Sequence, residues 1–171
     1  GNTVLDHLVG HPTSVEDFVL VTLHRRENHE NIAEWFKEIN ELAKNSDLDF
    51  VLPIHPNPNV IKHEGILTDV EVIDPLPYSE CIEMVARCRL LITDSGGLQE
   101  ESSFFGKRCI VCRKITERIE GIGQFAFMCA NPDQLSRVFR DVSFIQPDIV
   151  SGECPYGDGH SAERIAKILK D

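Results

Sequence analysis

The chain has 171 residues, enough for one globular domain with a real core. Its 42% hydrophobic and 26% charged content is ordinary for a soluble protein, and no apolar run approaches the roughly 20 residues that span a bilayer. A formal net charge of −11 argues against nucleic acid as a partner, and it means that any anion site must be made positive locally.

Residues 1–16 read as a lead-in or linker. The first residue is Gly rather than Met, which points to a processed or cut end, and no signal peptide is visible. An apolar strand follows at Phe18–Leu23 and runs into His24-Arg25-Arg26-Glu27-Asn28. An imidazole and two guanidiniums at one turn suit phosphate neutralisation and proton or hydrogen-bond work. A helix over Asn31–Lys44 leads to a strand at Asp49–Ile54, then to His55-Pro56-Asn57-Pro58-Asn59. His55 falls at the same strand end as His24, and the two prolines stiffen its turn. The pattern continues with a helix at Asn57–Glu64, a strand at Glu71–Ile73 and a helix at Ser79–Ala86.

Next comes the most informative stretch. The strand Arg89–Thr93 runs into Asp94-Ser-Gly-Gly-Leu-Gln-Glu-Glu101 and a helix over Gly97–Phe105. Two glycines at a helix start let another group approach the backbone, and the free N–H groups favour an anion such as a phosphate. At about 100° per residue, Glu101 falls beside the apolar stripe of Leu98 and Phe105, while Glu100 points away. A carboxylate near a buried face needs partners. Ribose hydroxyls would serve, and so would a nearby Arg.

A strand at Arg108–Arg113 then leads to Arg113-Lys-Ile-Thr-Glu-Arg-Ile-Glu120. There Arg118 could meet a diphosphate from the side opposite the glycine pair. A strand at Phe125–Cys129 is followed by a helix at Pro132–Arg140, which Asn131 would cap. A loop over 146–160 precedes the last helix, Ala162–Leu169. Six cysteines without a secretory signal read as reduced thiols. Cys109-Ile-Val-Cys112 lies on a strand, which points the two sulfurs to opposite faces, so core packing is favoured over zinc. The repeated strand–helix units imply an α/β fold: a doubly wound, Rossmann-like parallel sheet with helices on both faces, binding ligand at the carboxyl ends of its strands.

In order along the chain, these motifs resemble the C-terminal domain of the non-hydrolysing UDP-N-acetylglucosamine 2-epimerases. The residues carrying the resemblance are His24-Arg-Arg-Glu-Asn28, Pro53-Ile-His-Pro-Asn-Pro-Asn59, Asp74-Pro75, Asp94–Glu101, Thr116-Glu-Arg118 with Glu120, and Pro155-Tyr-Gly-Asp-Gly159. Gly1-Asn-Thr-Val-Leu-Asp6 looks like that family's interdomain linker. Leu23, Ile119 and Cys81 depart from the family's usual residues.

The resemblance implies one half of a GT-B-type two-domain fold, with residues 17–171 as the nucleotide-binding domain and an N-terminal domain lying outside this chain. It implies interconversion of UDP-N-acetylglucosamine and UDP-N-acetylmannosamine by UDP elimination and re-addition, in the service of cell-wall or capsule polysaccharide synthesis. It implies no metal or redox cofactor, a cytoplasmic location, a UDP-sugar as partner, no nucleic acid or membrane, and a homodimer in the whole protein. Ser95, Gly96 and Gly97 would hold the diphosphate, with Arg118 near the phosphates. Glu101 would hold the ribose, and Leu76 and Cys81 would meet the uracil. His24 would act near the leaving UDP. Arg25 and His55 match an allosteric site of bacterial members. The family's catalytic acidic residues lie in the other half, so this chain alone is expected to be inactive. A hydrolysing epimerase, a GT-B glycosyltransferase half and a non-catalytic nucleotide-sugar module are the alternatives.

Overall fold

The computed structural model describes residues 1–170. Six parallel strands form one sheet: β1 (Glu16–Thr22), β2 (Asp49–Pro53), β3 (Glu71–Ile73), β4 (Cys88–Thr93), β5 (Arg108–Val111) and β6 (Ala126–Met128). Their order is β3-β2-β1-β4-β5-β6, the doubly wound arrangement, and it reverses between β1 and β4. The α-helices among the described residues are α1 (Ile32–Lys44), α2 (Pro58–Ile61), α3 (Tyr78–Arg87), α4 (Gly96–Phe104), α5 (Leu135–Ser143) and α6 (Ser161–Ile168). No helix is long and apolar enough to cross a membrane among the described residues.

Strand alternation divides the core in two. Val19, Val21, Leu90, Ile92, Ile110 and Cys112 face one side, with Trp35, Phe36 and Ile39 of α1 and Leu135 and Phe139 of α5. Leu20, Leu91, Cys109 and Val111 face the other, with Ile82 and Val85 of α3 and Leu98 of α4. Both faces are therefore apolar, which is why the strands read as unbroken hydrophobic runs. Cys109 and Cys112 fall in different cores, as alternation requires. Burial pushes the Cys109 thiol up to about 12 and Cys112 well above the ordinary thiol range.

Every expected strand is present, and boundaries move by a residue or two. Two helices differ: the one expected over Asn57–Glu64 spans only Pro58–Ile61, with a 3-10 turn at Glu64–Ile66, and another starts later than expected. Pro132–Gln134 form a 3-10 turn, Asn131 makes no side-chain cap, and α5 begins at Leu135. The Gln134 side chain instead accepts from the Ala130 N–H at 3.2 Å.

Residues 1–16 do more than connect. Thr3–Leu8 form a 3-10 helix that places Leu5 and Leu8 in the second core. Asp6 accepts from the Ser161 N–H at 3.0 Å and also from Ala162, so it caps α6 from across the chain. The buried Lys107 ammonium donates to the Ser14 carbonyl. Leu5 is 0% exposed, so Leu5→Ala is expected to cost about 3 kcal/mol of unfolding free energy, read by urea denaturation. A loss below 1 kcal/mol would mean that the lead-in adds nothing to the fold.

Candidate functional site

The strand order reverses between β1 and β4, and the polar segments that follow both strands meet there. The strands are locked at this point. Thr22 pairs with Thr93 in register, and their hydroxyls lie 2.7 Å apart. Directly after Thr93, Asp94 is fully buried. It accepts from the backbone N–H of His24 at 3.0 Å and of Arg25 at 2.9 Å, and from the Asn28 amide at 3.0 Å. Asn28 also donates to the Cys112 carbonyl at 3.0 Å, which ties in the end of β5. His24 Nδ1 lies 3.3 Å from Asp94 Oδ1, so the carboxylate orients the ring as well as the turn.

His24 and His55 stack, with ring centroids 5.7 Å apart and planes at 17°. Burial, then repulsion from His24 and His29, lowers the affinity of His55 for a proton. Both rings line a cleft of about 150 Å³ at the ends of β1 and β2, together with Pro75, Leu76 and Cys81. Burial, then the charge of Glu101, pushes the Cys81 thiol up to about 11. A neutral, partly apolar wall of this kind suits a planar base. Arg25 contributes its backbone N–H to the turn, and its guanidinium makes no ion pair among the described residues.

Helix α4 starts at Gly96, with Ser95 as its cap, and the Ser95 hydroxyl accepts from the Leu98 N–H at 3.4 Å. Arg118 lies over the first turn. A Cβ on Gly96 would come within 2.8 Å of Arg118 Nη1, so a larger residue there would push the guanidinium off the first turn. The Arg118 backbone is fixed by a buried network. Its carbonyl accepts from the Gln99 amide at 2.7 Å and the Tyr156 hydroxyl at 3.0 Å. Thr116 Oγ1 accepts from the Arg118 N–H at 3.2 Å and donates to Gln99 at 2.9 Å. Tyr156 also accepts from the Gly121 N–H at 3.1 Å, where a Cβ would sit 2.8 Å from its hydroxyl. A helix N-terminus with a guanidinium laid across it has the electrostatics that suit an anion such as a phosphate.

Glu101 is 3% exposed. The Tyr78 hydroxyl donates to it and lies 2.9 Å from His7 Nε2 of the lead-in. A second cavity of about 370 Å³ opens near the amino ends of β4 and β5. Its arginines are already committed, Arg89 to Asp17 and Asp148 and Arg108 to two carbonyls, so it offers no free chemistry. Among the described residues, no cluster of His, Cys, Asp or Glu has the makings of a metal site.

The model of the UDP-N-acetylglucosamine 2-epimerase family matches residues 2–170. The chain belongs to this family. It is 36% identical to a UDP-N-acetylglucosamine 2-epimerase of Campylobacter jejuni, covering 94% of this chain and 46% of that protein. It is 37% identical to a UDP-2,3-diacetamido-2,3-dideoxy-D-glucuronate 2-epimerase of Pseudomonas aeruginosa, covering 91% of this chain and 45% of that protein. The crystal structure of the Neisseria meningitidis UDP-N-acetylglucosamine 2-epimerase bound to its UDP-sugar superposes with a TM-score of 0.77 at 29% identity, over 100% of this chain and 54% of that one. The chain thus spans about half the length of the relatives it matches.

Within this epimerase domain, three sequence expectations need correction. Glu100 does not point away from the protein. It is 5% exposed and accepts from Arg118 Nε at 2.7 Å. Helix α4 is covered on a second side by the lead-in and the Arg118 loop, so its amphipathic reading fails. Consequently the carboxylate that pairs with an arginine is Glu100, while Glu101 takes a tyrosine. Arg118 also lies against Gly96 itself rather than opposite the glycine pair. Asp94, Gln99, Tyr78 and Tyr156 were not picked out as site residues. Asp94 had a signal, since an acid directly after a buried strand must be satisfied by neighbouring donors.

Burial raises the proton affinity of Glu101, opposed by the Tyr78 hydrogen bond and by His7. The folded chain therefore holds this proton more tightly than the unfolded chain does. Stability from Glu101 is present below the unfolded carboxylate range, near 4.5, and is lost as pH rises through the folded value. Glu101→Gln is expected to raise the melting temperature at pH 7 by about 2–4 °C. The gain should shrink as pH falls toward 4.5, measured by scanning calorimetry. An equal gain at both pH values would count against a buried carboxylate.

Proposed function

We propose that this domain is the UDP-holding half of an epimerase that interconverts UDP-N-acetylglucosamine and UDP-N-acetylmannosamine. One observation carries the reading. The reversal of the strand order brings the glycine start of α4, Arg118 across it, the buried Glu101 and the His24–His55 cleft to one edge of the sheet. Each part suits one part of UDP. Ser95, Gly96 and Gly97 take the diphosphate with Arg118. Glu101 takes the ribose hydroxyls, and the wall of Leu76 and Cys81 takes the uracil. His24, held by Asp94, stands by the leaving group.

The chemistry asks for such a grip. In elimination, the C2 proton and the C1–O bond to UDP are lost, which gives a glycal and free UDP. In re-addition, UDP returns to C1 and a proton reaches C2 from the other face. UDP must stay bound between the two steps, or it cannot return to C1 and the glycal is released or takes up water there instead. A buried carboxylate on the ribose and a fixed guanidinium on the diphosphate slow its escape. The proton-transfer groups belong to the other half of the cleft, in the length that the relatives have beyond this chain. The sugar is a UDP-2-acetamido sugar, because one relative is named for a diacetamido uronate. Arg25 and His55 are proposed as part of a regulatory UDP-sugar site, and the location is proposed to be cytoplasmic.

Titration of the chain with UDP by calorimetry is expected to show saturable binding, weakened about 10- to 100-fold by Glu101→Ala. UDP affinity unchanged by that substitution would remove Glu101 from the ribose site. The chain supplied with UDP-N-acetylglucosamine alone should form no UDP-N-acetylmannosamine. Turnover, read by NMR of the sugar anomeric protons, would show that the chemistry needs no second half.

A further inference from the structure

Arg118 carries two carboxylates, and they are not equivalent. Glu100 is buried and accepts from Nε at 2.7 Å, while the Asn2 amide of the lead-in donates to its other oxygen. Glu117 reaches Nη1 of the same guanidinium from the solvent side, with a side chain 54% exposed. Its second oxygen accepts from Arg113 Nη1 at 2.9 Å, and Arg113 Nε donates to Glu27 at 2.9 Å.

The two partners differ in what it costs to leave. Separating Glu100 from Arg118 would strand a buried carboxylate, which is strongly unfavourable. Separating Glu117 from Arg118 strands nothing, because Glu117 keeps Arg113 and water. Both Nη1, which Glu117 occupies, and Nε, which Glu100 holds, lie against Gly96 at the open start of α4, with Nη1 the nearer. An anion seated on the first N–H groups of that helix would compete with Glu117 for Nη1 and leave the Glu100 pair intact.

We propose that Glu100 is a positioning residue that aims Arg118, and that Glu117 is a resident carboxylate which the diphosphate displaces from Nη1. The proposal deepens the UDP reading and rests on it. Its consequence is a pair of opposite signs on one arginine. Loss of the Glu100 charge frees the guanidinium to swing off the helix and weakens diphosphate binding. Loss of the Glu117 charge removes a competitor and tightens it. Uridine, which lacks phosphates, feels neither change.

The test is calorimetric titration of the chain with UDP and, separately, with uridine. It compares wild type, Glu100→Gln and Glu117→Gln, each variant also in an Arg118→Ala background. Glu100→Gln should weaken UDP about tenfold and Glu117→Gln should tighten it about threefold, with uridine unmoved. Both effects should vanish without Arg118. Equal losses for UDP and uridine, or effects that persist without Arg118, would reduce Glu100 to a structural role and overturn the proposal. Weaker UDP binding by Glu117→Gln would overturn it too. If Glu100→Gln does not fold, the surface variant Glu117→Gln decides alone, since it must tighten UDP and not uridine. A wild-type chain that binds UDP no better than uridine would sink the diphosphate site itself. UDP-selective binding that neither variant moves would sink only the roles of Glu100 and Glu117.

Discussion

Asp94 lies buried where the strand order reverses, and it accepts hydrogen bonds from two backbone N–H groups and a side-chain amide of the β1 turn. A carboxylate with no water must be satisfied in this way, and the requirement runs in both directions. The donors His24, Arg25 and Asn28 have one arrangement that reaches Asp94. That arrangement sets the His24 ring, and through it the stacked His55 ring. Asn28 carries the constraint on to β5 through the Cys112 carbonyl. One acidic residue after a strand thus fixes the ends of three strands relative to one another. The cleft inherits its shape from that.

The second half of the site depends on residues far away in sequence. Arg118 sits on a loop with no regular structure, yet its carbonyl and N–H are held by Gln99, Thr116 and Tyr156. Its guanidinium is held by Glu100, which in turn takes a hydrogen bond from Asn2. The Asn2 N–H donates to the Tyr156 carbonyl at 2.9 Å, so lead-in and C-terminal loop close on each other beneath the site. A buried polar network of this kind rigidifies when every member is satisfied. The segments that seemed to be connections, at both ends of the chain, are the supports of Arg118.

Most of the fold was legible because the sheet is buried on both faces. Short apolar runs such as Leu90-Leu91-Ile92, bounded by polar turns and alternating with helical patterns, read as central strands, and polar clusters at their carboxyl ends point to the ligand edge of such a sheet. The Ser95-Gly96-Gly97 start of α4 was legible for the same local reason. What escaped was set by tertiary packing. Glu100 read as an outward residue because periodicity assumes one buried face, and α4 has more than one. Tyr78 gave no signal, since its partners His7 and Glu101 come from two distant segments. The lead-in looked like linker because a short 3-10 helix has too few residues to show a period, although Leu5 and Leu8 are core. Asn131 made a sound cap signal locally, but the 3-10 turn before α5 and the Gln134 side chain took over that end.

Net charge sharpens the problem that the site solves. At −11 the chain repels anions at long range, so the diphosphate of the proposed ligand would have to be attracted by short-range, oriented groups. Lysines on the surface would not do this selectively. A helix N-terminus and one arginine, fixed in place by a buried carboxylate, would do so, because both are preorganised and neither needs a net positive field. Glu100 and Glu117 neutralise Arg118, which limits the desolvation cost of holding a cation against Gly96. An acidic protein can therefore hold an anion tightly without carrying a basic surface. In the role proposed for Glu117, the exposed partner of the arginine is the one that yields when the ligand arrives.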